Sequence, residues 1–102
     1  MVREKKAILE QLAAKAIRLG ADGFEVDHKD GCEEVFAVKP GIGVGIARLR
    51  RSSPQAVALR KELYAVGTKR RRMIIDNVAY ELRARIFDSF GEDAFRVELR
   101  RR

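Results

Sequence analysis

Residues 69–100 read KRRRMIIDNVAYELRARIFDSFGEDAFRVELR, and their alternation decides the fold. Val78, Tyr80, Leu82, Ala84 and Ile86 occupy every second position, the period of a strand with one oily face. Strands over 69–75 and 78–87 flank an Asp76-Asn77 turn, and a strand over 94–100 follows the loop 88–93. Folding these segments back across their turns sets Met73 and Ile75 beside Tyr80 and Val78. It also sets Phe95, Val97 and Leu99 beside Ile86, Ala84 and Leu82. The opposite face then pairs Arg72 with Glu81, Glu81 with Arg100, and Arg83 with Glu98. Agreement on both faces specifies the register.

Working outward, Ser53-Pro54 opens a helix over 54–66, because serine caps free amides and proline suits the first helical position. Leu59, Leu63 and Val66 line one side of it and Gly67 closes it. Before it, Pro40-Gly41 turns the chain into a strand over 42–50. Strands over 23–29 and 32–39 surround Asp30-Gly31, a type I′ hairpin signal. Phe24 and Val26 then share the core with Val35 and Ala37, while Asp27 faces Glu34. That like-charge pair leaves the hairpin register open. A first helix over 3–19 carries Ile8, Leu12, Ala16 and Leu19 on its stripe, flanked by Leu9, Ala13 and Ile17. Gly20 suits a left-handed C-terminal cap. The expected fold is α+β: two helices and about six mainly antiparallel strands in the order α-β-β-β-α-β-β-β, in a single domain over 1–102.

A chain of 102 residues with 46% hydrophobic and 36% charged side chains is a folded composition with a heavily charged surface. A single cysteine, Cys32, permits no internal disulfide and points to a reducing compartment. No run approaches the ~18 apolar residues of a membrane span, and the amino-terminal residues lack the apolar core of a signal peptide. The expected location is the cytoplasm, without membrane insertion. The net charge is +7. Residues 1–50 hold nine Lys/Arg and eight Asp/Glu, whereas residues 51–102 hold thirteen and seven, so the second half carries +6 of it. An arginine-rich surface suits forked contacts with phosphate or carboxylate, against the alternative of a merely solvated face.

Several motifs point away from catalysis. Gly41-Ile42-Gly43-Val44-Gly45 lacks the Gly-Lys-Ser/Thr of a phosphate loop and the GxGxxG of a dinucleotide fold. Its glycines alternate within a strand and leave one face bare for close approach by a helix or a backbone. His28, the only histidine, reads as an exposed turn residue with Glu33 as cross-strand neighbour. Cys32 has no flanking cation cluster, and Glu33-Glu34 and Glu92-Asp93 read as surface charge. No enzyme, metal site or cofactor is expected.

The meander register places Arg85 directly opposite Arg96, two like charges that repel unless something intervenes. Arg83, Arg85 and Arg96 are therefore the candidate anion-binding site. Arg70, Arg71, Arg72 and Arg100 form a secondary basic patch that could touch nucleic-acid phosphates, although no RNP motif or GxxG clamp accompanies them.

The order of parts resembles the N-terminal PAS-like domain of type II secretion and type IV pilus assembly ATPases. The matching stretches are Gly20-Ala21-Asp22-Gly23-Phe24, Asp30-Gly31, Tyr80-Glu81-Leu82-Arg83-Ala84 and Gly91-Glu92. Asp22-Gly23 departs from that family's Ser-Asp, and the loop before Gly91 lacks its Thr-Leu-Pro-Thr run. The resemblance implies a protein partner, an ATPase domain or another secretion component, and a nucleotide whose phosphates Arg83 would face. Arg85 and Arg96 rest on the pairing argument alone. The expected function is a non-catalytic binding and assembly module that meets a nucleotide-bearing or other anionic partner. The alternative is a small basic nucleic-acid-binding protein.

Overall fold

Left-handed backbone at paired turn residues makes three tight hairpins. Asp30 and Gly31 have φ of 52° and 74°, Asp76 and Asn77 have 50° and 64°, and Phe90 and Gly91 have 53° and 82°. Two adjacent residues in this region form the turn whose twist matches that of antiparallel strands. The computed structural model describes residues 7–67 and 69–102. Its elements are α1 (Ile8–Arg18), β1 (Gly23–Lys29), β2 (Cys32–Lys39), β3 (Ile42–Arg50), α2 (Pro54–Val66), β4 (Arg71–Ile75), β5 (Val78–Ser89) and β6 (Glu92–Arg101). The strands form one antiparallel sheet in the order β3-β2-β1-β6-β5-β4. The fold is α+β, built from two αβββ halves whose meanders lie side by side.

The second meander pairs in the register expected from alternation, including Arg85 opposite Arg96. The first hairpin also keeps its register, with Asp27 opposite Glu34 and His28 opposite Glu33. The segment 88–93, expected as a loop, is instead strand almost to its tip. Ser89 pairs with Glu92, and only Phe90-Gly91 turns.

α2 begins where Ser53 Oγ accepts a hydrogen bond from the Ala56 amide at 3.2 Å. Ser53→Ala removes that cap and is expected to lower stability by about 1 kcal/mol, read as an earlier urea midpoint at unchanged slope. α1 has no such cap of its own. Glu62 of α2 supplies it from outside, accepting from the Leu9 amide at 3.0 Å. At its other end Gly20 adopts φ 77°, and the Ala21 amide reaches back to the Ala16 carbonyl. This closes a Schellman turn that leaves Leu19 outside the helix and 41% exposed. The buried stripe therefore centres on Leu9, Leu12, Ala13 and Ala16 rather than running out to Leu19. Of the expected first helix, residues 3–6 lie outside the described residues.

Both helices cover one face of the sheet. Phe24 and Val26 of β1, Val35 and Ala37 of β2, Leu82 and Ala84 of β5, and Phe95 and Val97 of β6 are buried beneath them. Full burial of the valine, leucine and phenylalanine side chains among them is worth roughly 1.5–3 kcal/mol each before entropy is counted. Ile86 shares that face by register yet is 47% exposed, because neither helix closes over the end of the β5–β6 hairpin. A bulge between Val35 and Phe36 inserts Ile46 into β3 and turns it into the core, where its carbonyl accepts from Lys15.

Candidate functional site

The opposite face of the sheet carries no helix among the described residues, and period-2 alternation decides what stands on it. One row across the strands runs Gly45, Phe36, Glu25, Arg96, Arg85; the next runs Gly43, Val38, Gly23, Glu98, Arg83. The bare glycines were expected to admit a helix or a backbone. At Gly43 and Gly45 they admit the Phe36 side chain instead, since the helices lie on the other face. The close backbone approach falls at Gly23. A Cβ built there would lie 2.1 Å from the carbonyl oxygen of Val97.

A groove of about 700 Å³, with Gly23 in its lining, lies between the Lys39–Gly41 turn and the β5–β6 strands. Six cations line it (Lys39, Arg70, Arg83, Arg96, Arg100 and Arg101) against three carboxylates, Asp22, Glu81 and Glu98. The groove thus brings together Arg83 and Arg96 of the expected site. Arg85 stands in register beside Arg96 but outside the groove lining. The secondary patch is divided: Arg70 and Arg100 line the groove, Arg72 pairs across from Glu81, and Arg71 sits opposite buried Leu82, on the helix side.

Arg96 is where its repulsion with Arg85 is relieved. β6 also pairs with β1, which sets Glu25 beside it, and an Arg96 nitrogen lies 3.4 Å from the Glu25 carboxylate. Glu81 gathers Arg70 at 3.1 Å and Arg102 at 2.6 Å. Burial alone would raise the Glu81 carboxyl, but the Arg102 hydrogen bond and the charges of Arg70, Arg102 and Arg100 hold it below the usual range. Arg83, Arg85 and Glu98 have no ion-pair partner within 4.0 Å among the described residues, although Arg83 and Glu98 are register neighbours.

A second polar cluster lies under the helices. Glu33 was expected at the surface; its side chain is wholly buried. Arg60 of α2 donates to its Oε1 at 2.8 Å. His28, expected as an exposed turn residue, is 15% exposed, with Nδ1 3.8 Å from the same oxygen and Nε2 3.5 Å from an Arg51 nitrogen. Burial works against the Arg60 cation, but the Glu33 hydrogen bond and charge outweigh it and raise the guanidinium above its ordinary value. Arg60 also lies 6.0 Å from the Tyr64 ring centre. The Tyr64 hydroxyl donates to Asp93, and this bond, burial and the Asp93 charge hold the phenol above its ordinary value. Asp93 is thus engaged, not free surface charge. The signal for Glu33 was present: it sits two residues before Val35 and four before Ala37, on the core parity of β2.

Among the described residues, no group of three or more His, Cys, Asp or Glu side chains could hold a metal ion. No helix among them is long and apolar enough to cross a membrane. No protein-family model matches this chain, and no curated protein matches it.

Proposed function

We propose that the domain is a non-catalytic binding module that takes a phosphate-bearing partner on its uncovered sheet face. The observation that carries this reading is the groove over Gly23, where Arg83 has no carboxylate partner among the described residues and stands beside Arg96 and Arg100. A guanidinium without a partner on a concave surface is the fork that phosphate oxygens satisfy. The non-catalytic part rests on His28, whose ring meets Arg51 and Glu33 rather than a hydroxyl or thiol. The resemblance to secretion-ATPase domains would aim this same face at a nucleotide held by a partner protein.

Tripolyphosphate is the direct probe. Titration followed by amide NMR is expected to shift Gly23, Val97 and Glu98. Arg83→Ala combined with Arg96→Ala is expected to weaken binding at least about tenfold, since hydrogen bonds to charged groups contribute about 1.5–3 kcal/mol each. Unchanged affinity in the double variant removes the groove as the anion site.

A further inference from the structure

We infer that the partner taken by this face is single-stranded RNA; the inference rests on the groove being an anion site. Three observations go beyond charge. First, two aromatic rings share the face with the guanidinium groups. Phe36 lies in one row with Glu25, Arg96 and Arg85, and Phe87 is two residues along β5 from Arg85. Phe87 is 41% exposed. Phe36 is half-buried, and Gly43 and Gly45 place no β3 side chain over its ring. A basic antiparallel sheet studded with aromatic rings is a recurrent platform for unstacked bases.

Second, the face carries acceptors as well as donors. Glu98 lines the groove without a cation partner among the described residues, and Glu25 sits in the Phe36 row. Glu25 is held by Arg96, but a partner made only of phosphates leaves Glu98 facing like charge. A ribonucleotide strand offers phosphates to Arg83 and Arg96, and base amino groups and 2′-hydroxyls to Glu98.

Third, the dimensions suit a short strand. From Arg83 to Phe87 is four residues of β5, about 14 Å at the rise of a strand. From Phe36 to Arg85 is three strand spacings, again about 14 Å. Beyond Phe87 the hairpin ends in Phe90, which is fully exposed and carries a left-handed backbone that a phenylalanine seldom adopts.

The test is fluorescence anisotropy with a labelled eight-cytidine strand, using an eight-deoxycytidine DNA strand and tripolyphosphate as comparators. Binding of the RNA strand is expected to weaken steeply between 50 and 200 mM salt. Phe36→Leu and Phe87→Ala are each expected to weaken RNA binding about 5- to 150-fold, the equivalent of ~1–3 kcal/mol for a stacked base. Tripolyphosphate affinity should not change in either variant. Phe36→Leu keeps apolar bulk, so a folded variant isolates the loss of the ring face, and circular dichroism checks that fold. Tripolyphosphate binding with no effect of either ring on RNA binding overturns the inference and leaves the anion site standing. DNA bound as tightly as RNA overturns the ribose contacts and hence the assignment to RNA. If neither RNA nor tripolyphosphate binds, both readings fall.

Discussion

Arg60→Ala is expected to cost about 3–5 kcal/mol of folding stability at neutral pH, because it strands a buried charge. Glu33 is wholly inside, and one of its oxygens, Oε2, already lacks a hydrogen-bond partner among the described residues. Arg60 meets the other oxygen. Once the arginine is truncated, His28 Nδ1 at 3.8 Å is the cation-forming group that remains beside Glu33, and it too is buried without a hydrogen-bond partner among the described residues. The helix cannot offer a substitute, since Arg60 lies at the middle of α2 with Leu59 and Leu63 facing the core. Replacing both partners together, Glu33→Leu with Arg60→Met, should recover most of the loss, as apolar pairs of similar volume often match or exceed a buried ion pair. Urea unfolding monitored by circular dichroism reads all three variants. A loss below about 1 kcal/mol in Arg60→Ala is what an exposed pair gives, and it would show that water reaches Glu33.

The contrast between Glu33 and Arg85 explains what was legible in the sequence. Arg85 opposite Arg96 could be read because tight turns fix the register of neighbouring strands, and both faces of the meander agreed. The sheet order could not, because the pairing of β1 with β6 joins segments some 70 residues apart with no turn between them. That pairing brings Glu25 to Arg96 and so changes the meaning of the arginine pair. Glu33 followed the core parity of its strand, but its charge argued for the surface. Only Arg60, on an element 27 residues away, makes the inward position tenable. The hairpin tip went unread for a local reason. Asp-Gly and Asp-Asn advertise left-handed turns, whereas Phe90-Gly91 adopts one with a residue that rarely does. The groove was half legible: its guanidinium groups followed from alternation, but its shape did not, because alternation treats Gly23, which lines it, as an empty position.

Gly23→Ala is expected to lower stability by more than about 4 kcal/mol or to prevent folding, a size that marks a specific steric failure. The added Cβ would stand 2.1 Å from the Val97 carbonyl oxygen and 3.3 Å from the Glu98 Cα. Both are backbone atoms of β6, so no side chain can turn aside to make room. The clash falls on the seam between the two αβββ halves, which pair through Gly23–Glu98, Phe24–Val97, Glu25–Arg96 and Val26–Phe95. Just beyond it the Leu99 amide donates to the Asp22 carbonyl at 2.8 Å. Separating these strands exposes Phe24 and Phe95, two of the largest fully buried side chains. Gly43→Ala is the matched control. It places a Cβ on the same face, 4.0 Å from the Phe36 Cβ, at ordinary contact distance. In a strand that substitution is expected to be neutral or mildly stabilising, because it reduces the freedom of the unfolded chain. Hydrogen exchange distinguishes seam failure from general loosening. In any folded Gly23→Ala protein, the Phe24, Val26, Val97 and Leu99 amides should lose protection before those of the Val78–Ile75 hairpin. A Gly23→Ala protein as stable as the parent would mean that β1 and β6 do not approach this closely, and the groove built on that approach would go with it.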